Sequence, residues 1–316
     1  MVQAVVEVGR QGMRIVLTLI GTSRDRSGLA GCVAAVAAAV GATAAPIWLA
    51  LEVCDIVLDA ADSAPVERAA RAVIGGAEVD VLVQPIEGRR KKLLVADMES
   101  TIIENEMLDE LADFAGIRPQ VSEITRRTMN GELDFASALE ARVRLLAGMD
   151  ARVLDRAAER IRVARGARQL VATMRAAGSV TALVSGGFTV FAERIAAELG
   201  FDHVVANRLD LSKGRITGTV RHPFVTGETK RDTLLTLAAE HGIAVDRSMA
   251  VGDGANDLPM LAAAGIGIAF HAKPSVSASS RWRIDHSDLT ALLYIQGYAT
   301  DEIAEDAPKR PAKREN

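Results

Sequence analysis

Four short apolar runs stand out in the chain beyond residue 92, at residues 93–96, 180–184, 249–251 and 266–270. A continuous apolar run of this kind is typical of a strand that is buried on both faces of a parallel sheet. Helical patterns separate the runs, for example at residues 190–200 and 230–241. The alternation predicts an α/β unit with a doubly wound parallel sheet over about residues 93–300.

The segment at about residues 107–165, between the first two runs, follows a helical period throughout. Its most amphipathic pieces are residues 107–116 and 135–146. An insertion of this length at the carboxyl end of a strand would cover a site there, as a lid does. We therefore predict an inserted helical cap. Residues 203–220, around Lys213 and Gly214, are predicted to form a hairpin.

A smaller unit is predicted at residues 13–86, where strand-like and helix-like patterns also alternate. The predicted strands are residues 13–20, about 46–58 and 79–84, and the predicted helices are about 28–41 and 65–75. This order favours an α+β sheet with helices on one side. Residues 87–92 are mostly charged and predict a linker, and the charged, proline-containing residues 301–316 predict a disordered tail.

Residues 27–51 contain no charged side chain and are long enough to cross a bilayer. They are rich in Ala and Gly and contain Pro46, which fits a helix followed by a strand better than one membrane-spanning helix. Residues 1–12 carry Glu7 and Arg10 and lack the apolar core of a signal peptide. We expect a cytoplasmic protein that does not bind membranes.

The composition argues against other classes of function. A net charge of −4 and an aromatic content of 3% do not suit a nucleic-acid partner, which needs a basic face or stacking platforms. Cys32 and Cys54 are the two cysteines, and they provide neither a disulfide framework nor a zinc spacing. We interpret both as small buried apolar side chains. The 316 residues suffice for two domains with their own cores.

Two carboxylates follow the first apolar run directly. Asp97 and Glu99 come just after residues 93–96. Ligands of open α/β sheets bind beyond the carboxyl ends of the strands, so both carboxylates are placed where a reaction would occur. The alternative is a strand that simply runs into a solvated loop.

The next segments end in residues suited to an anion and a cation. Ser185 and Gly186 follow residues 180–184, where a hydroxyl and backbone N–H groups can bind an anion, although many such turns are only turns. Asp253 and Asp257 lie on a glycine-rich turn, which suits a hard cation bound by oxygen, with helix capping as the alternative. Lys230 lies at the start of a predicted helix, where a lone lysine is usually a solvated charge.

At one edge of one sheet, these residues would supply a nucleophile, a divalent cation and hydrogen-bond donors. That set suits the transfer of a phosphoryl group, whose equatorial oxygens carry the charge of the transition state. The sequence therefore indicates phosphoryl-transfer chemistry.

The order of the motifs resembles that of the haloacid dehalogenase superfamily of phosphotransferases. The matching motifs are Asp97-Met98-Glu99-Ser100-Thr101, Ser185-Gly186, Lys230 and Gly252-Asp253-Gly254-Ala255-Asn256-Asp257. Within the superfamily, the likeness is greatest to the phosphoserine phosphatase family, over about residues 93–298. Residues 25–29 resemble, more loosely, an ACT-type module. The resemblance implies a Rossmann-like sheet with a cap, preceded by an ACT-like domain.

The resemblance also implies roles for the matched residues. It implies Mg²⁺-dependent hydrolysis of O-phosphoserine, the last step of serine biosynthesis, through an aspartyl phosphate on Asp97 with Glu99 as the acid and base. The implied Mg²⁺ ligands are Asp97, the Glu99 main-chain carbonyl, Asp253 and Asp257. The implied substrate contacts are Glu106 for the ammonium, Arg142 for the carboxylate, Met129 and Phe135 beside them, and Ser185, Gly186, Lys230 and Asn256 for the phosphoryl group.

Glu99 departs from the resemblance, because the family usually has Asp there and an extra methylene changes the reach of the acid. Two alternatives remain open: another phosphomonoesterase of the superfamily that acts on a different phosphorylated amino acid, and a serine-sensing binding protein with weak catalysis. Arg142 and Glu106 argue against a sugar phosphate, since they suit a zwitterion. Residues 13–86 are expected to bind an amino-acid effector or to form a homodimer, with a structural appendage as the alternative.

Overall fold

The computed structural model describes residues 12–22, 26–129, 132 and 134–305. Contacts divide the chain into two compact units. The first unit contains the chain up to Arg90 together with Ile284–Ser287 and Ala291–Glu302, and the second contains the rest. The predicted domain limits, residues 13–86 and 93–300, follow patterns along the chain, whereas this division follows packing.

The first unit contains a four-stranded antiparallel sheet. Its strands are β1 (Met13–Gly21), β2 (Ile47–Ala50), β3 (Val53–Ala60) and β4 (Val79–Pro85), and its helices are α1 (Arg26–Ala39), α2 (Ser63–Ile74) and α12 (Ala291–Tyr294). The sheet order is β2-β3-β1-β4. The βαββαβ order up to β4 confirms the predicted α+β fold of this part of the chain.

The single strand predicted at about residues 46–58 is wrong. A turn at Leu51 and Glu52 divides it into β2 and β3, which pair with each other as antiparallel strands. A hairpin needs only a two-residue turn. The apolar pattern continues across that turn, so the sequence gives little sign of it.

One face of this sheet forms a core with the helices. Alternate residues of β1, namely Ile15, Leu17 and Leu19, pack in one cluster with Val33 and Val36 of α1. The spacing of two follows from the alternation of side chains along a strand. Cys54 belongs to the same cluster and is buried, whereas Cys32 is half-buried, and both are free thiols.

The opposite face of the sheet carries a buried polar network. Thr18 donates to Asp55 Oδ1 at 2.7 Å, and Arg89 Nη1 donates to Asp55 Oδ2 at 2.8 Å. Arg89 also donates to the carbonyl oxygens of Tyr294 and Ile295, each at 3.2 Å. The buried ion pair therefore fastens the last turn of α12 to the sheet.

A second contact fixes the chain that leads into α12. Asp80 of β4 accepts hydrogen bonds from the backbone N–H groups of Asp285, at 2.8 Å, and Ser287, at 2.9 Å. Gln84 of the same strand donates to the Ile295 carbonyl at 2.6 Å. Residues from the end of the chain therefore complete a sheet that is built near its beginning.

The second unit contains the larger sheet. The strands of this unit are β5 (Leu93–Ala96), β6 (Val180–Phe188), β7 (His203–Asn207), β8 (Leu209–Ser212), β9 (Arg215–Val220), β10 (Ser248–Gly252), β11 (Ile266–Phe270) and β12 (Trp282–Ile284), of which the last residue, Ile284, is counted with the first unit. Its helices are α3 (Met107–Ala115), α4 (Arg118–Met129), α5 (Phe135–Arg144), α6 (Arg152–Ala158), α7 (Ala167–Ala176), α8 (Thr189–Leu199), α9 (Gly227–Glu240), α10 (Leu258–Ala263) and α11 (Pro274–Ser279).

Six of these strands form one sheet in the order β12-β11-β10-β5-β6-β7. β5 to β7, β10 and β11 pair in parallel. All four residues of β5 are buried, and Leu93 and Val95 pack in one cluster with Leu234 and Leu237 of α9. The arrangement confirms the predicted doubly wound sheet and its four predicted strands.

Two details of the predicted sheet need correction. β7 belongs to the large sheet, so the hairpin predicted over residues 203–220 is confined to β8 and β9 around Lys213 and Gly214. The short β12 was not predicted, because three residues carry too little pattern to indicate a strand. The inserted segment contains α3 to α6 and is helical, as predicted.

The cap helices have local stop and start signals, and the hairpin packs against them. α3 ends at Gly116, which has φ of +66°, and the side chain of Asp134 accepts the Ser137 N–H at 3.0 Å where α5 begins. β9 lies against α5, and a Cβ at Gly218 would come within 2.7 Å of Ala147. The β8–β9 hairpin therefore packs against the cap and supports it.

In the described part of the chain, no helix combines the length and the apolar character that crossing a membrane requires. Thr300–Glu302 form one helical turn, which overlaps the first two residues of the predicted disordered tail, residues 301–316. Residues 306–316 of that tail and the N-terminal residues 1–11 lie outside the described residues.

Replacing Arg89 with Ala is expected to destabilise the first unit strongly. Asp55 is only 2% exposed and would lose its cationic partner, which typically costs about 3–5 kcal/mol. The two tryptophans lie in different units, so Trp48 reports on the first unit in a Trp282→Phe background. We expect the urea midpoint of Trp48 fluorescence to fall.

Arg68→Ala is the matched control, because Arg68 is an exposed arginine of the same unit. Its unfolding free energy should change by no more than about 0.5 kcal/mol. Equal midpoints for the Arg89 and Arg68 variants would contradict the role of the buried pair.

Candidate active site

Three neighbouring strands end at one edge of the large sheet and bring the motif residues together. β5 lies between β10 and β6, with Ala96 opposite Val251 on one side and Leu183 on the other. The Asp97 N–H donates to the Val251 carbonyl at 3.0 Å. The residues that follow these strand ends therefore surround Asp97.

A tight turn redirects the chain after Asp97. The turn spans Met98–Ile102 and is closed by the Ile103 N–H, which donates to the Met98 carbonyl at 2.9 Å, and within it Ser100 has φ of +53°. Such a conformation costs about 1–3 kcal/mol outside glycine and persists where the surroundings fix it. Here Ser100 Oγ donates to Glu106 Oε1 at 2.8 Å. The turn is thus tied to the residue that precedes the first cap helix.

Asp97, Asp253 and Asp257 form a buried carboxylate cluster, in which one oxygen of each lies within 4.8 Å of the others. Lys230 Nζ donates to Asp97 Oδ1 and to Asp257 Oδ1, both at 2.6 Å, and the lysine is fully buried. Lys230 is therefore the counter-charge of the cluster and not a solvated surface lysine. Its helix, α9, is fixed at the start by the side chain of Thr226, which accepts a backbone N–H.

Burial and mutual repulsion raise the pKa values of Asp97 and Asp253. The pKa of Asp97 rises to about 7, mainly through burial and then through Asp257, with Lys230 acting in the opposite direction. The pKa of Asp253 rises to about 6, again through burial first and Asp257 second. Burial opposes the charge of Lys230, but Asp97 and Asp257 outweigh it and raise its pKa above the ordinary value. The single positive charge of Lys230 does not neutralise the negative charge of three ionised carboxylates.

The excess negative charge fits a bound divalent cation. Carboxylate oxygens are hard ligands, and each aspartate of the cluster offers one oxygen at a spacing that a single ion can share. A cation there would favour the ionised carboxylates and so oppose the burial and repulsion that raise the pKa values of Asp97 and Asp253. The residues present therefore suit an oxygen-ligated ion.

Glu99 reaches from the turn to the start of the cap. Its Oε1 accepts the N–H of Met107, the first residue of α3, at 2.8 Å. The longer side chain has room because residue 187 is glycine, where a Cβ would lie 2.8 Å from Glu99 Oε2. Burial first, and Glu106 second, raise the pKa of Glu99 to about 8. A carboxyl group with such a pKa is suited to donate a proton near neutral pH.

A cavity of about 610 Å³ opens between the carboxylate cluster and the cap. Glu106 and Arg142 both line it, so one anion and one cation face the same space. Burial lowers the pKa of Arg142, whereas Glu99 and Glu106 act in the opposite direction. The volume is in the range typical of small-molecule sites.

The predicted site residues with described side chains lie in the cavity wall or directly behind it. Those that line it are Asp97, Glu99, Glu106, Arg142, Gly186, Asp253 and Asn256. Ser185, Lys230 and Asp257 are buried behind the wall, where Ser185 Oγ accepts the Gly187 N–H at 2.9 Å. Met129 ends α4 and Phe135 begins α5, and their side chains lie outside the described residues.

Ten other lining residues were not among the predicted site residues: Leu108, Thr125, Leu139, Gly187, Phe188, Gly254, Ala255, Lys273, Ser275 and Val276. Helical spacing could have indicated two of them. Thr125 precedes Met129 by four residues, and Leu139 precedes Arg142 by three, so each shares a helix face with a predicted residue. Lys273 follows a strand without any motif of its own, and nothing local distinguishes it from a surface lysine.

The sequence model of the haloacid dehalogenase-like hydrolases matches residues 94–262, more than half of the chain. The chain belongs to this family of hydrolases. The match contains the Asp97 turn, the whole cap, Lys230 and both aspartates of the glycine-rich turn. The site described above therefore lies within the part of the chain that defines the family.

The curated relatives are more specific. The chain is 39% identical to a phosphoserine phosphatase from Archaeoglobus fulgidus over 236 residues, which cover 74% of this chain and 69% of that protein. It is also 39% identical to a phosphoserine phosphatase from Streptomyces coelicolor over 74% of this chain, but spans only 57% of that protein's length.

Solved structures match most of the chain in one case and about two thirds of it in another. A haloacid dehalogenase family hydrolase from Salmonella enterica serovar Typhi has a TM-score of 0.81 at 28% identity, over 90% of this chain and 98% of that one. A phosphoserine phosphatase solved as a phospho-aspartyl intermediate analogue has a TM-score of 0.61 at 37% identity, over 65% of this chain and 98% of that one.

Replacing Gly187 with Ala is expected to displace Glu99 without unfolding the protein. The added methyl group would lie 2.8–3.0 Å from the carboxylate atoms of Glu99, which end a flexible side chain and can move. Because a displacement of about 1 Å can cost about 10²-fold in rate, we expect kcat to fall by that order. The measurement is hydrolysis of p-nitrophenyl phosphate together with the melting temperature.

Gly76→Ala is the control, because a Cβ there meets no atom within 4 Å. It should retain full activity. If Gly187→Ala kept wild-type kcat, Glu99 would not depend on the space beside it.

Proposed function

We propose that this protein is a phosphoserine phosphatase that hydrolyses O-phosphoserine to serine and phosphate with Mg²⁺. The observation that carries the proposal is the cavity in which Arg142 and Glu106 face the buried carboxylate cluster. Phosphoserine carries a carboxylate and an ammonium group beside its phosphate, and the cavity offers a counter-charge for each. The named relatives support the same substrate.

The substrate is bound through three charged groups. Arg142 pairs with the substrate carboxylate, for which a guanidinium offers two parallel donors. Glu106, held by Ser100, pairs with the ammonium. Ser185, the Gly186 N–H, Lys230 and Asn256 surround the phosphoryl oxygens. Met129 ends α4 and Phe135 begins α5, and we assign both to contacts with the amino-acid part of the substrate. Leu139 lines the cavity.

The reaction has two steps at phosphorus. An Asp97 carboxylate oxygen attacks phosphorus while the bond to the serine oxygen breaks, and Glu99 donates a proton to that leaving oxygen. Water then attacks the aspartyl phosphate as Glu99 takes a proton from it, which releases phosphate and restores Asp97. Lys230 orients Asp97 through its bond to Oδ1.

Mg²⁺ would be held by the Asp97 carboxylate, the Glu99 main-chain carbonyl and Asp253, supported by Asp257. The all-oxygen ligand set favours this ion. When bound, the ion neutralises charge on the phosphoryl oxygens during transfer. Asp97 would therefore serve both as nucleophile and as ligand.

A phosphate-release assay with purified protein tests the proposal. We expect turnover of O-phosphoserine that requires Mg²⁺ and is lost with excess chelator. Phosphothreonine, phosphohomoserine and glucose 6-phosphate should be poorer substrates. Phosphothreonine adds a methyl group beside the ester oxygen, phosphohomoserine places the phosphate one carbon further from the two charges, and glucose 6-phosphate lacks both charges. Equal or faster turnover of another ester would identify a different phosphomonoesterase, and no release from any ester would indicate a binding protein.

The roles of Asp97 and Glu99 predict different losses. Asp97→Asn should abolish turnover, because it removes the nucleophile. Glu99→Gln should lower kcat by about 10²–10⁴-fold, the usual contribution of general acid–base catalysis. Both variants keep the shape of the side chain, so circular dichroism serves as the folding control.

Trapping locates the nucleophile independently. Beryllium fluoride should form its adduct on Asp97. A crystal structure of the treated protein is the measurement that locates the adduct. An adduct on another side chain, or substantial activity of Asp97→Asn, would overturn the proposed mechanism.

A further inference from the structure

We propose that Lys273 captures the substrate phosphate, by moving its ammonium group from Asp253 to the phosphoryl oxygens when a divalent cation occupies the carboxylate cluster. The inference rests on the proposed function, because it concerns the phosphate end of that site. Lys273 is not part of the motifs that place the nucleophile and the ion.

A hydrogen bond holds the backbone of Lys273 at the site, whereas its side chain makes only a loose ionic contact there. Lys273 lies between β11 and α11, and its N–H donates to the Asp253 carbonyl at 3.3 Å. Two residues earlier, His271 has φ of +43°, which turns the chain back towards the cavity. The side chain lines the cavity but is 55% exposed. The backbone of Lys273 is therefore fixed, whereas the ammonium group at the end of the side chain can move.

The cavity wall carries more negative than positive side chains, so an anionic substrate needs a cation near the carboxylate cluster. Among the described residues, four carboxylates line the wall: Asp97, Glu99, Glu106 and Asp253. The two cations in the same wall are Arg142 and Lys273. Arg142 lies on the cap side, and the buried Lys230 donates to two carboxylates, which leaves one of its three N–H groups for the phosphoryl oxygens. An incoming phosphate ester, which is strongly anionic, needs a positive charge at the cluster to enter this field.

The contact of Lys273 with Asp253 is suited to exchange. Its Nζ lies 4.0 Å from Asp253 Oδ2, too far for a hydrogen bond but close enough for attraction. A divalent cation at Asp253 would take over that attraction and repel the ammonium group. The flexible four-carbon side chain lets the ammonium swing, and lysine binds phosphate as a point charge without fixed geometry.

Lys273→Met tests the exchange in two independent measurements. Calorimetry with Mn²⁺ and the substrate-free protein should show tighter ion binding, by about threefold or more, because no ammonium group competes at Asp253. KM for O-phosphoserine should rise about tenfold, the usual effect of losing one charged contact, with a smaller effect on kcat. The dependence of kcat/KM on salt should weaken.

Two variants serve as controls. Lys273→Arg keeps the charge, so its KM for O-phosphoserine should lie close to the wild-type value. Lys213→Met removes an exposed lysine at the tip of the β8–β9 hairpin and should change neither measurement. A lysine that only supported the fold would weaken ion binding when replaced, which is opposite to the expected change.

The outcomes separate this inference from the proposed function. If the wild-type protein hydrolyses O-phosphoserine but Lys273→Met has unchanged KM or unchanged ion binding, the inference is wrong and the proposed function stands. If the wild-type protein does not hydrolyse O-phosphoserine, the proposed function fails. Binding of inorganic phosphate to the Mn²⁺-loaded protein then decides the role of Lys273, since the Met variant should bind phosphate more weakly.

Discussion

The buried cluster of Asp97, Asp253 and Asp257 around Lys230 is the constraint on which the rest of the site depends. Three carboxylates and one ammonium group are removed from water at the edge of the sheet, and the lysine bonds only two of them. Removing such charges from water is costly unless each is paired. The excess negative charge is therefore retained where an ion can use it. Burial first, and repulsion by Asp257 second, raise the pKa values of Asp97 and Asp253.

The cap depends on the same edge of the sheet through Glu99. A shorter acid at this position would not extend as far towards the Met107 N–H at the start of α3. The longer one reaches it, and the absence of a side chain at Gly187 leaves space for the carboxylate. Glu99 thus belongs to the turn that follows Asp97 and also contacts the first cap helix. The departure at Glu99 is therefore matched by its surroundings, which favours catalysis over a degenerate binding protein.

The sequence predicted the elements that carry their pattern locally. Short buried runs such as residues 93–96 indicate parallel strands, and the topology then places Asp97 beside the turn that holds Asp253. The bonds of Lys230 could not be predicted, because its partners lie 133 and 27 residues away and only packing brings them together. Lys273 was missed for the same reason. The turn at Leu51 and Glu52 was missed because apolar residues continue across it.

The first unit shows how far such long-range packing extends. Asp80 and Arg89 contact backbone groups about 205 residues further along the chain, and these contacts satisfy charges that are otherwise buried in the sheet. A fragment that ends before Ile284 would leave Asp80 without its N–H partners, and such unsatisfied groups cost about 1–3 kcal/mol each. A deletion of residues 13–86 would likewise remove the sheet that Ala291–Glu302 packs against. The role of the first unit is therefore better tested by point substitutions within the full chain than by removing it.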